Sequence, residues 1–127
     1  MPRCTRSSMM TLMDNKLPDT VLDTRTTRNL TEPFGPVHFY FEGKTDLLSS
    51  MTVGSLILHP GMEPHPPHQH PEEEFMLVTE GTGIISVEDT VYEVGPGSMM
   101  YCAGNKMHGI RNTGDVPMTF YFHKWLA

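Results

Sequence analysis

The chain has 127 residues, 38% of them apolar and 9% aromatic, and its nine Lys and Arg against fifteen Asp and Glu leave a formal charge of −6. That is one domain's worth on the usual scale of ~100–200 residues, with enough apolar content for a modest core. The acidic balance argues against nucleic acid and anionic membrane as partners, since both need a basic surface, and no apolar run approaches the ~18 residues of a membrane span.

Residues 1–33 differ from the remainder. Five basic residues (Arg3, Arg6, Lys16, Arg25, Arg28) and four acidic ones (Asp14, Asp19, Asp23, Glu32) give the segment a charge of +1, so residues 34–127 carry −7. Rich in Thr, Asp and Arg and without a sustained period, it reads as a flexible or loosely docked N-terminal arm ahead of one domain over 34–127. Arg3 and Arg6 ahead of Met9, Met10, Leu12 and Met13 faintly suggest a secretory leader. The apolar stretch is too short and too interrupted, and no small-residue cleavage site follows it, so a cytoplasmic protein is expected.

From residue 37 onward, short strands alternate with turn residues. The expected strands are 37–42, 50–59, 74–79, 83–88, 90–94, 98–102, 107–112 and 117–125. Turns fall at Glu80-Gly81-Thr82-Gly83, Gly95-Pro96-Gly97 and Thr113-Gly114-Asp115, because Gly permits φ > 0 and Pro presets φ near −65°. No stretch holds a 3.6-residue apolar period long enough for a substantial helix. Eight short strands at regular spacing point to an all-β sandwich or small barrel.

Three of the seven His and five of the eleven Pro fall between residues 60 and 71. His68 and His70 are two apart, so on an extended backbone both rings face one way. Pro66, Pro67 and Pro71 forbid helix here and hold the segment extended, and Glu74 opens the next strand. Two imidazoles and a carboxylate on one face suit a divalent transition metal; this donor mixture admits Fe, Mn, Ni, Cu or Zn. His108, opening a strand after the turn Ala103-Gly104-Asn105, is the best further ligand. His38, His59 and His123 sit in apolar strands and are read as hydrogen-bonded structural histidines.

These residues resemble the two motifs of the cupins. The first motif of that family is matched by Gly61, six residues, His68-Gln69-His70, three residues, Glu74, six residues and Gly81. Its second motif is matched by Gly97, five residues, Ala103-Gly104-Asn105, two residues, His108, three residues and Asn112. One extra residue precedes His68, and Ala103 and Asn105 stand where the family usually has Pro and Gly. Asn tolerates the left-handed conformation, so the turn can survive. The resemblance implies a cupin double-stranded β-helix (jelly roll), a metal on His68, His70, Glu74 and His108, a supporting role for Asn112, and a homodimer in which 37–42 and 117–125 are the contact surfaces.

Several secondary readings accompany the site. His65 is a solvated loop residue, an extra ligand, or a catalytic proton-transfer group at the pocket mouth. Glu72 and Glu73 are read as solvated, and Gly81 as closing a hairpin. Alternation puts Met76 and Val78 on the metal-facing side of the strand from Glu74, while Phe120 and Phe122 alternate with Tyr121 and His123, so that either pair can line the interior. The many Met residues are read as adaptable core packing. Cys102 is expected to be a small buried apolar residue; with Cys4 it makes neither a disulfide framework nor a thiolate zinc site.

Such a site can polarise a carbonyl, stabilise an enolate, or bind dioxygen beside a chelated substrate. The leading expectation is a metal-dependent enzyme on a small organic oxyanion or enol, with oxidative cleavage as in quercetinase-like dioxygenases first. An isomerase, epimerase or lyase, with Tyr40, His65, Tyr121 or His123 as base, is the second. A non-catalytic cupin that holds a small-molecule ligand is the third. Fold does not choose between them.

Overall fold

The computed structural model describes residues 16–127. The leader-like stretch through Met13 and Cys4 lie outside the described residues. Nine strands follow in order: β1 (Arg28–Glu32), β2 (Gly35–Gly43), β3 (Ser50–Leu58), β4 (Glu73–Glu80), β5 (Gly83–Val87), β6 (Thr90–Val94), β7 (Met99–Cys102), β8 (His108–Asn112) and β9 (Met118–Leu126). They form two sheets, one of six strands in the order β1-β2-β3-β9-β4-β7 and one of three in the order β6-β5-β8. Every pairing between these strands is antiparallel.

Each of the eight expected strands has a counterpart. The ninth, β1, falls inside the stretch read as an irregular arm. Its five residues pair along their whole length with β2, from Arg28 opposite Phe39 to Glu32 opposite Gly35. Four of the five are exposed, so no apolar alternation marks the strand in sequence. The backbone ladder holds it, helped by the Arg28 guanidinium, which forks onto the Glu42 carboxylate at 2.9 and 2.8 Å and lies 4.2 Å over the Phe39 ring.

Apolar alternation decides which way the other strands face. On β4, Glu74, Met76 and Val78 point inward; on β9, Met118 and Phe120 do. Together with Val37, Leu56, Leu58, Ile85, Met100, Cys102 and Ile110 they make one buried core. Of the two alternatives on β9, the Phe pair faces inward and Tyr121 is exposed. The methionines divide: Met76, Met100 and Met118 are core, whereas Met62, Met99 and Met107 are exposed.

Gly81 closes no hairpin. β4 belongs to the large sheet and β5 to the small one, so residues 81–82 carry the chain between layers. Gly81 sits at φ 78°, and a Cβ there would lie 2.5 Å from the Pro117 carbonyl oxygen, which only glycine avoids. A single antiparallel bridge, His68 to His108, lays the Pro-rich loop along the free edge of β8.

Candidate metal centre

That bridge builds the site. The His68 and His108 backbones exchange both hydrogen bonds, 3.0 and 2.9 Å, which brings the loop histidine beside one forty residues later. The turn at 103–105 fixes the third histidine: the Asn105 amide donates to the His70 carbonyl at 2.7 Å. Asn105 adopts φ 63°, the left-handed conformation expected of it. Gly104 packs against Pro71 so closely that a Cβ would meet the Pro71 carbonyl oxygen at 2.3 Å.

His68, His70 and His108 consequently converge, each offering a ring nitrogen within 4.8 Å of the others. The His68 ring stands near-perpendicular to the His70 ring and steeply inclined to that of His108, with both centroids 5.0 Å away. Glu74 rises between His70 and His108, with one carboxylate oxygen 2.9 Å from the Nε2 of each. The far nitrogens are tied down: His70 Nδ1 bonds the Glu72 carbonyl at 3.1 Å, and His108 Nδ1 bonds the Lys106 carbonyl at 3.0 Å. An imidazole whose Nδ1–H is committed to a carbonyl keeps Nε2 available for a metal, so the orientation fits a divalent transition ion. The donor set of three nitrogens with an adjacent carboxylate fits as well.

Electrostatics follow from depth. His108 is 1% exposed and Glu74 4%. Burial pushes the Glu74 carboxyl up, but the hydrogen bonds and charges of His108 and His70 outweigh it and hold the group below its ordinary value. The same bond from Glu74 raises His108 against its burial. His68 goes the other way: burial first, then the neighbouring His65, His108 and His70, lower it to about 4, so it is neutral near pH 7 and ready to ligate. Cys102 is buried, as expected, with Sγ 3.5 Å from His108 Nδ1, and burial pushes its thiol up.

His68, His108 and Glu74 open into a cavity of about 240 Å³ between the sheets, while His70 stands behind them outside its lining. Its walls are largely apolar, including Val37, Phe39, Leu56, Ile110, Phe120 and Phe122. Its polar groups are Glu32, His65, His68, Glu74, His108 and Lys124. His65, exposed at the mouth, stacks on His68 with centroids 3.9 Å apart. Of the other candidate bases, Tyr40, Tyr121 and His123 do not line the cavity, because their positions on β2 and β9 face outward.

Several residues serve other ends. Asn112, fully buried, donates to the Leu58 and Val116 carbonyls at 3.0 and 2.8 Å and accepts from the Gly114 amide at 2.9 Å. It supports the site by pinning the far end of β8. His38 bonds Asn29, His59 is exposed, and His123 packs against Phe75 and Trp125. Glu73 is not simply solvated: it accepts from the Tyr101 hydroxyl at 2.7 Å and the Trp125 indole at 3.1 Å. Lys124 escaped the sequence reading. Its signal was the alternation itself, since a strand that turns Phe120 and Phe122 inward turns Lys124 inward too.

The family model described as Cupin domain matches residues 54–124, which include all three histidines, Glu74 and Asn112. The chain belongs to the cupin family. Among solved cupins, an RmlC-like cupin from Shewanella frigidimarina superposes with a TM-score of 0.71 over 87% of this chain and 93% of that one, at 14% identity. A predicted oxalate decarboxylase from Thermotoga maritima gives 0.69 over 85% of this chain and all of its own length, at 17% identity. These likenesses establish the cupin jelly roll. In sequence, the chain is similar to a 5-nitrosalicylic acid 1,2-dioxygenase from Bradyrhizobium (35% identical over 68 residues, 54% of this chain and 32% of the relative). It is also similar to the dimethylsulfoniopropionate lyase DddW of Ruegeria pomeroyi (34% over 59 residues, 46% and 38%) and to protein SchB of Streptomyces halstedii (33% over 72 residues, 56% and 51%). The chain thus spans between about a third and a half of the length of these curated relatives.

Proposed function

We propose that this cupin holds a divalent transition metal on His68, His70 and His108 with Glu74 as fourth ligand, and acts on a small organic oxyanion or enol by dioxygenase-like oxidative cleavage. The observation that carries the proposal is the orientation of the imidazoles: with Nδ1 of His70 and His108 fastened to carbonyls, each turns Nε2 to the same Glu74 oxygen, beside an apolar cavity that His68, Glu74 and His108 line. When bound, the metal supplies Lewis acidity toward a substrate oxygen and, with a redox-active ion, a site for dioxygen.

The chain's own residues do the rest. Three neutral imidazoles and one carboxylate leave about one positive charge on a divalent centre, which attracts an anionic oxygen. Phe39, Phe122 and Leu56 exclude water around the bound ligand. His65 at the mouth is placed to accept or return a proton on the ligand's exposed side. The likeness to a protein named as a dioxygenase supports the oxidative reading. Loading the protein with Fe(II), Mn(II), Ni(II) or Cu(II) and following oxygen uptake with enediol and flavonol substrates tests it. No uptake with any of these metals removes it.

A second reading, a lyase that removes a proton beside a carbonyl or carboxylate, is favoured by one observation. Of the four candidate bases, His65 lines the cavity and the other three do not. One relative is named a lyase. Solvent deuterium entering a keto-acid panel, lost in His65→Gln, selects this reading over the first.

A further inference from the structure

Lys124 lies on the interior face of β9, directly opposite Thr52 on β3 and Glu74 on β4. Cross-strand neighbours of this kind have Cβ atoms roughly 5 Å apart, close enough for a lysine and a glutamate to pair. They do not pair. Glu74 spends its carboxylate on His70 and His108, and among the described residues no hydrogen bond or ion pair engages the Lys124 ammonium. The lysine is half-buried and lines the cavity instead. Its charge reaches His108, whose hold on a proton it weakens.

The ammonium keeps contact with solvent and so carries no full burial penalty, but it faces a largely apolar cavity with no counter-ion of its own. Here the missing partner has room to come from outside. The cavity, about 240 Å³, lies below the ~300–1,000 Å³ common for ligand sites, which limits an occupant to a single ring or a short chain. The aromatic and aliphatic wall of Val37, Phe39, Leu56 and Phe122 suits an apolar body. The remaining acid of the lining, Glu32, sits on β1, three strands from β9 in the sheet.

We infer that Lys124 is the anion-recognising residue of this cavity, and that the ligand is a small apolar monoanion, an aromatic or short-chain carboxylate or enolate, held with its negative oxygen at Lys124. The inference rests on the function proposed above and narrows its substrate class. It does not require the metal in order to be tested, because the ammonium acts on the ligand by itself.

Calorimetric titration with benzoate and with its neutral isostere benzamide, on metal-free and on zinc-loaded protein, compares the wild type with Lys124→Met and Lys124→Arg. Losing a charge-assisted hydrogen bond in a water-poor site weakens binding by about tenfold or more. Lys124→Met should therefore bind benzoate at least about tenfold more weakly, with benzamide unchanged. Lys124→Arg, which keeps the charge, should recover most of the loss. Zinc content and thermal unfolding of both variants should match the wild type, which separates recognition from a structural role. Benzoate bound equally well by Lys124→Met, or by the wild type no better than benzamide, overturns the inference. A wild type that takes up no zinc overturns the metal proposal alone, and the metal-free titrations still decide the role of Lys124.

Discussion

Asn112 offers a sharp test of how the second cupin motif works in this chain. Its side chain is fully buried and makes three hydrogen bonds, to the Leu58 and Val116 carbonyls and from the Gly114 amide. Each is worth about 1 kcal/mol net, so Asn112→Ala should cost about 3 kcal/mol, plus a small penalty for the void. For a domain of this size that lowers Tm by about 12 °C, at ~4 °C per kcal/mol. Urea unfolding monitored by Trp125 fluorescence gives the free energy, and metal content of the folded variant gives the second readout. Well below the lowered Tm, the variant should still bind one equivalent of metal, because the side chain bonds β3 and the 113–117 loop and not the histidines. A loss under about 1 kcal/mol would show that water or a shifted loop satisfies the orphaned groups. Normal stability with lost metal would refute the scaffolding role altogether.

Other outcomes follow from the same geometry. His108→Ala should abolish stoichiometric metal uptake, while His123→Ala, on the outer face, should leave it intact; elemental analysis distinguishes them. Metal affinity should fall as pH drops through the histidine range, beginning with His108, which its bond to Glu74 holds above the ordinary value, since imidazole must be neutral to ligate; content unchanged down to about pH 4 would count against histidine ligation. In metal-free protein His68 is held at about 4 by burial, so between pH 6.5 and 4 the unfolded chain takes up a proton here that the folded chain refuses. Stability should decline across that window, on the order of 1–2 kcal/mol after solvent screening, and His68→Gln should remove this component from the denaturation profile. The homodimer implied by the resemblance, with 37–42 and 117–125 as contact surfaces, should appear in light scattering; Trp125, at the end of that second segment, lines an apolar groove on the large sheet's outer face, and Trp125→Glu should then shift the mass to monomer. A wild-type mass of one chain would dismiss the dimer.

Much of this protein is legible along the chain, and the reason is periodicity. Strand positions β2 to β9 are readable because short apolar-rich runs recur between turn residues. The strand β1 is not, because four of its five residues are solvated and its hold is backbone pairing with an Arg–Glu fork. A two-residue period also points His68 and His70 the same way, and spacing to Glu74 and His108 marks a metal-type constellation.

Spacing carries no information about distance between layers. Only the fold decides that the His68–His108 bridge unites a loop with β8, that Gly81 crosses between sheets, and that His65 lines the cavity while Tyr40, Tyr121 and His123 do not. Length and charge restrict the chain to a small acidic domain with room for one site. Tertiary packing adds what charge totals average away: Lys124 is turned inward to the cavity that His68 and His108 line, where no carboxylate among the described residues pairs with it, and that gives the single charge its weight.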